Sequence, residues 1–154
     1  MQVVRFTVLG QAKGKERPRV VRLADGKPHT YTPTRTKNAE ESIARAYKRA
    51  AKGVTFGDKV IKVGIRAFFQ IPTSWTKAEK ARARQGLRQP YVKPDLDNIA
   101  KMFLDALNGV AYNDDKQIIS MDVSKTYGEP ARTEVVIQEW EVSSWNGCTD
   151  QTRA

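Results

Sequence analysis

The run VIKVGIRAFF at residues 60–69 constrains the fold more than any other part of the chain. Ile61, Val63, Ile65, Ala67 and Phe69 fall on one side of an extended backbone, with Lys62, Gly64 and Arg66 on the other. A period of two with one face wholly apolar marks a strand buried on one side, which needs hydrogen-bonding neighbours and an apolar layer over it. Residues 3–9 offer one neighbour, alternating Val4, Phe6 and Val8 with Arg5 and Thr7. Residues 117–125 offer another, with Ile119, Met121 and Val123 set against Ser120, Asp122 and Ser124. A Gly128-Glu129-Pro130 turn leads to a last strand at 133–140, which is expected to form a hairpin with the strand before it.

The covering layer comes from segments of helical period. In residues 33–52, Ala39, Ile43, Ala46, Tyr47 and Ala50 form an apolar stripe, with Arg45, Lys48, Arg49 and Lys52 roughly opposite. Gly53 is placed to end this helix. Thr76-x-x-Glu79 is a capping-box pattern that opens a short basic helix through about Arg84, with Gly86 as its stop. Residues 97–108 carry Ile99, Met102, Phe103 and Ala106 at helical spacing and end on Asn108-Gly109. Residues 10–27 mix glycines, Pro18 and cations and read as a basic loop or loose hairpin. The order β-α-β-α-α-β-β is an α+β fold. It predicts a single domain over 1–141, with a mixed β-sheet of about four strands, helices packed on one side of it, and a C-terminal tail at 142–154.

Charge separates this domain into two parts. The chain holds 27 Lys and Arg against 17 Asp and Glu, a formal charge of +10. Residues 1–52 carry +9, residues 53–92 carry +6, and residues 93–154 carry −5. The basic balance points to a polyanion such as nucleic acid. The carboxylates gathered in the last third need a separate explanation. A single cysteine (Cys148) and a single histidine (His29) exclude an intrachain disulfide, a Cys/His zinc site and any mechanism that uses two histidines. No apolar run approaches the roughly 18–20 residues of a membrane span. The opening MQVVRFTVLG lacks the basic-then-apolar layout of a signal peptide, so a cytoplasmic protein is expected.

The carboxylates lie in the stretch VKPDLDNIAKMFLDALNGVAYNDDKQI. Pro94 holds the approach extended. Asp95 and Asp97 stand at the start of a helix, with Asp97 placed as its N-cap, and Lys101 follows one turn later on the same face. Asp114 and Asp115 occupy the turn before a strand. If that helix and strand pack as neighbours, Asp115 folds back beside the helix start. Two or three carboxylates with no His or Cys nearby suit Mg²⁺ or Mn²⁺, which take hard oxygen ligands, retain waters and complete their shell with substrate phosphate. Such a metal activates a water for in-line displacement at phosphorus, and a nearby lysine offsets developing charge. Plainer readings compete: a helix cap, a solvated turn, and Lys101 as an i,i+4 partner of Asp97 and Asp105. Capping, however, accounts for only one of Asp95 and Asp97. Lys13, Lys15, Arg17 and Arg19 are candidate phosphate contacts, because glycines let a backbone approach DNA and arginine forks onto phosphate. Tyr31 and Tyr112 either stack on an unpaired base or pack inside, and Trp75 reads as a hydrophobic anchor.

K-P-D-L-D-N-I-x-K, D-A-L-N-G and Y-N-D-D-x-Q-I together resemble the core motif of the RusA-like family of Holliday junction resolvases, endodeoxyribonucleases of bacteria and their phages. GKERPRV, TYTPTRT and IPTSWTKAEK extend the likeness over roughly residues 5–140. The resemblance implies a homodimeric, Mg²⁺-dependent enzyme that nicks opposed strands of a four-way DNA junction symmetrically. Its catalytic, metal-holding acids would be Asp95, Asp97 and Asp115, with Lys101 as the essential lysine. Some members carry an arginine run ahead of the first aspartate where this chain has Lys93-Pro94, so Lys93 is the residue expected to make the DNA contact there.

Two other readings use the same residues. The restriction-type pattern P-D…D-x-K is met by Pro94-Asp95 and Asp114-Asp115-Lys116, and it assigns the chemistry to Asp114 and Lys116. A non-enzymatic architectural protein that binds junctions through its basic face leaves the carboxylates unexplained, because acids near phosphate weaken binding unless a cation intervenes.

Overall fold

The structure, a computed structural model, describes residues 1–141. In chain order the elements are β1 (Val3–Leu9), β2 (Arg19–Arg22), β3 (Pro28–Tyr31), α1 (Thr34–Ala51), β4 (Ile61–Phe69), α2 (Lys77–Arg84), α3 (Leu96–Leu107), a 3-10 turn (Asp115–Gln117), β5 (Ile118–Tyr127) and β6 (Arg132–Glu139). The expected α+β class holds, and the order gains one unit. The basic segment after β1 folds into the antiparallel pair β2–β3, which forms a small sheet of its own. Every side chain of that pair is exposed, so no buried face existed to impose a readable alternation. The expected tail at 142–154, with Cys148, lies outside the described residues.

The main sheet is mixed, in the order β1-β6-β4-β5. β6 runs antiparallel to both β1 and β4, and β5 runs parallel to β4. The expected hairpin between the last two strands does not form, because β4 lies between them. The link from β5 to β6 crosses the end of β4, where the Gly128 N–H donates to the Phe69 carbonyl at 3.0 Å. A Cβ at position 128 would strike the Phe68 ring, so glycine is what lets the chain pass that close.

One sheet face is the core, as expected. Val4 and Phe6, Ile61 to Phe69 in alternation, and Val135 and Ile137 are buried against Ile43 and Tyr47 of α1 and Ile99, Met102 and Phe103 of α3. Phe6 meets Tyr47 edge-on with ring centroids 5.7 Å apart. Truncating a buried side chain such as Ile99 or Phe103 to alanine costs about 2–5 kcal/mol. The opposite face is polar and open. Arg5, Lys62, Arg66, Asp122 and Glu134 line a shallow depression of about 620 Å³ there.

β5 forms an edge of this sheet, and its apolar residues are less covered than its alternation predicts. A register shift pairs Ile118 with Ile61 and Ser120 with Lys62, which leaves Ile119 in the irregularity. Ile119 is 54 % exposed and Met121 47 %, while Val123 packs partly against the core.

Helix ends follow local chemistry. α1 closes on Lys52, whose φ of 49° puts it in the left-handed region one residue before Gly53. The α2 capping box forms as predicted: Thr76 accepts from the Glu79 N–H at 3.2 Å, and Glu79 accepts from the Thr76 N–H at 3.0 Å. Trp75 anchors this end. Its ring meets Tyr127 edge-on at 5.2 Å and carries the Arg88 guanidinium 3.6 Å from its centroid.

Candidate active site

The N-cap of α3 falls two residues earlier than its motif suggests. Asp95, not Asp97, occupies the N-cap position, and Asp97 falls in the first turn. The Asp95 side chain accepts no capping hydrogen bond, so neither acid is used to satisfy the helix's free N–H groups. Both residues are exposed. Lys101, one turn on, is exposed too, and among the described residues it forms no ion pair with Asp97 or Asp105.

Asp105 is bound elsewhere. The Lys15 ammonium, expected to face DNA, is held between Asp105 and Glu40, the latter at 3.2 Å. Burial alone would push the Lys15 pKa down, but hydrogen bonds to Asp105 and Glu40 and their charges outweigh it and leave the group raised. The backbone around Lys15 is tied just as firmly. Its N–H donates to Asn98 Oδ1 at 2.8 Å, and the Glu16 N–H donates to the buried Thr36 hydroxyl at 3.3 Å. Gly14 sits so close to Asn98 and Pro94 that no Cβ fits between them. The basic loop is thereby clamped between the first turns of α1 and α3.

A second lysine fixes the approach to Asp95. Lys125 on β5 donates to the carbonyls of Val92, at 2.6 Å, and Pro94, at 3.2 Å. These carbonyls bracket Lys93 and lead directly into the helix.

The second acid pair is built differently. Asp114 caps the 3-10 turn: its side chain accepts from the Lys116 N–H at 2.9 Å, while its own N–H donates to Gln117 Oε1 at 2.8 Å. The Lys116 N–H, helped by the ammonium 3.6 Å away and by Asp115, holds the Asp114 carboxyl below the usual range. Gln117 ties this turn to the loop before β4 by donating to Gly57 O at 2.7 Å and Lys59 O at 2.8 Å. Asp115 is exposed at the start of the same turn. Tyr112 is packed rather than presented for stacking: it is buried and donates to Leu104 O at 3.0 Å. Burial raises its pKa first, and the charges of Asp115 and Asp105 add to that, so its phenol stays protonated.

Among the described residues no three Asp, Glu, His or Cys side chains stand close enough to enclose a metal. Mg²⁺ does not require such a cage, since it is commonly held by one or two carboxylates, retained waters and substrate phosphate. The donor chemistry at the start of α3 fits that demand: two exposed carboxylates, neither used as a cap, with no nitrogen or sulfur ligand beside them in the sequence. A cavity of about 460 Å³ opens next to Asp95. Lys13, Arg35, Lys93 and Asn98 line it together with Asp95.

Of the predicted DNA contacts, Lys13 and Lys93 therefore meet beside Asp95. Arg17 is exposed on the loop and is not among the cavity residues, and Arg19 starts β2 and reaches Glu16 at 3.7 Å. Arg35, Asn98, Thr36 and Lys125 were not singled out from the sequence. The first and third lie in TYTPTRT and the second follows Asp97 directly, so the quoted motifs contained them. Lys125 had no signal of its own.

No helix among the described residues is long and apolar enough to cross a membrane. Residues 10–138 match the family model described as "Endodeoxyribonuclease RusA". A relative from Bacillus subtilis (strain 168), "Uncharacterized protein YqaN", is 34 % identical over 142 residues, covering 90 % of this chain and 98 % of that one.

Proposed function

This chain belongs to the RusA endodeoxyribonuclease family, and from that premise we propose that it is a Mg²⁺-dependent resolvase that cuts four-way DNA junctions by paired symmetric nicks. Family membership makes it a DNA-hydrolysing endonuclease of recombination that binds branched DNA. The observation that carries the finer reading is the start of α3, where two exposed, non-capping carboxylates stand beside Asn98, which accepts from the Lys15 N–H of the cation-bearing loop. An architectural protein has no use for acids at the centre of its DNA-facing surface.

In this reading Asp95 and Asp97 would hold the cation together with substrate phosphate, and Asp115, which forms no three-carboxylate cluster with them in this structure, would complete the shell through a retained water. Mg²⁺ or Mn²⁺, if bound there, would supply the acidity that makes a water nucleophilic and would offset charge at phosphorus. Lys101 faces the negative charge that builds on the phosphate oxygens and the leaving group. Lys13, Arg17, Arg19 and Lys93 grip the backbone so that the scissile bond lies over the acids. Lys15 acts from inside, by holding the loop. Two nicks related by symmetry require two such sites related by a two-fold axis, so the working species is a homodimer, acting in the bacterial cytoplasm where its DNA is.

The test is a labelled four-way junction incubated with the protein in Mg²⁺ or in EDTA. Symmetric nicks in Mg²⁺ alone are expected. Equal recovery of intact junction in both conditions overturns the nuclease reading.

A further inference from the structure

The cavity beside Asp95 has a composition that the catalytic acids do not explain. Three cations from three separate segments converge on it: Lys13 from the clamped loop, Arg35 from the first turn of α1, and Lys93 from the approach to α3. Among the described residues none of the three forms an ion pair. Glu16 and Asp95 also line the cavity, but Glu16 reaches Arg19 at 3.7 Å and neither acid pairs with any of the three cations, which are left to repel one another until an anion enters between them. The walls are fixed before any ligand arrives. The loop is bonded to Asn98 and Thr36, Gly14 abuts Pro94, and Lys125 holds the carbonyls on either side of Lys93. At about 460 Å³ and open to solvent, the space admits a phosphate still attached to its two sugars.

We propose that this cavity is a binding site for a non-scissile phosphodiester of the DNA backbone, with Arg35 as its forked ligand and Lys13 and Lys93 as its flanking charges. The proposal rests on the nuclease reading above and adds to it a second phosphate contact, next to the strand position that is cut. A guanidinium fork grips two phosphate oxygens at once, which fixes where the backbone lies as well as how tightly it is held. Asp95 on the rim sets the register: a strand anchored in the cavity presents its neighbouring phosphate to the acids.

The experiment measures binding of the intact protein to a labelled four-way junction in EDTA across a range of salt concentrations. Arg35→Ala weakens binding about tenfold and lowers the slope of log affinity against log salt by about one. Arg35→Lys restores the slope but only part of the affinity, because the charge returns without the fork. Arg66→Ala removes the same charge from the open sheet face on the other side of β4 and leaves both quantities unchanged. Equal losses in Arg35→Ala and Arg66→Ala indicate a general charge effect and overturn the proposal, as does an Arg35→Ala variant that binds like wild type. If wild-type protein cuts the junction in Mg²⁺ while Arg35→Ala binds normally, only this inference fails. If wild-type protein neither binds nor cuts it, the nuclease reading fails and takes this inference with it.

Discussion

Asp95–Asp97 and Asp114–Asp115 are both acid pairs that straddle the start of a helical element, yet the fold uses their first members in opposite ways. Asp114 is fully employed: it caps its turn, accepts from the Lys116 N–H and draws the Lys116 ammonium to 3.6 Å. Asp95 stands at the equivalent cap position of α3 and makes no such bond. An acid in a capping position that does not cap is held there for another use. Pairs that look alike in one dimension therefore differ in the property that matters for chemistry, which is whether the carboxylate is free to take a ligand from outside.

The strongest way to break this contrast is to neutralise the first pair. Asp95→Asn and Asp97→Asn are each expected to lower junction cleavage at least about a hundredfold. Binding in EDTA should be kept or tightened, because a charge that repels phosphate is gone. Cleavage and gel-shift assays on the same preparations decide it, and markedly weaker binding counts against the assignment.

Within the second pair the contrast becomes a choice between mechanisms. Asp115→Asn and Lys101→Ala should lose on the order of a hundredfold in rate, while Asp114→Asn and Lys116→Ala retain cleavage. Loss in Lys116→Ala with Lys101→Ala still active would restore the restriction-type assignment.

A smaller effect is expected where the first pair is held in place. Lys125→Met frees the Val92 and Pro94 carbonyls and should lower kcat about tenfold, as loss of an outer-shell partner commonly does. Junction affinity should fall much less than the rate, because Lys93 is one of three cations in the cavity, and Lys125→Arg should recover part of the rate. A fall in affinity equal to the fall in rate would show that Lys125 contacts DNA instead.

The mildest change is in stability. The Asp114 carboxyl sits below its unfolded value, so its contribution is present above the unfolded pKa near 3.8 and is lost as pH falls through the lower folded value. Melting curves from pH 6 down to 3 should fall less steeply for Asp114→Asn than for wild type. Parallel curves would show that the cap contributes nothing through its charge.

The same contrast separates what the sequence made legible from what it did not. The capping box at Thr76 and Glu79 was readable because both partners lie within one turn. The strand β4 was readable because burial of one face imposes a period of two. Neither the β5–β6 arrangement nor the fate of Lys15 had a local signal. β4 inserts between two strands that are adjacent in the chain, and Lys15 finds Asp105 across 90 residues. The acids were identified by a motif, but which one held the cap position depended on where α3 began, and periodicity fixes helix ends only to within a residue or two. Arg35 sits inside the TYTPTRT motif with no signal of its own, and only the cavity places it beside Lys13, Lys93 and Asp95.

The contact of Gly14 with Pro94 and Asn98 has an evolutionary corollary. Segments some eighty residues apart occupy each other's space, so neither can drift alone. A descendant that gains a side chain at position 14 must yield room at 94 or 98, and one that replaces Asn98 must find the Lys15 amide another acceptor. Substitutions in these two stretches should arise as matched pairs across lineages, whereas β2 and β3, exposed along their whole length, are free to diverge residue by residue apart from Arg19.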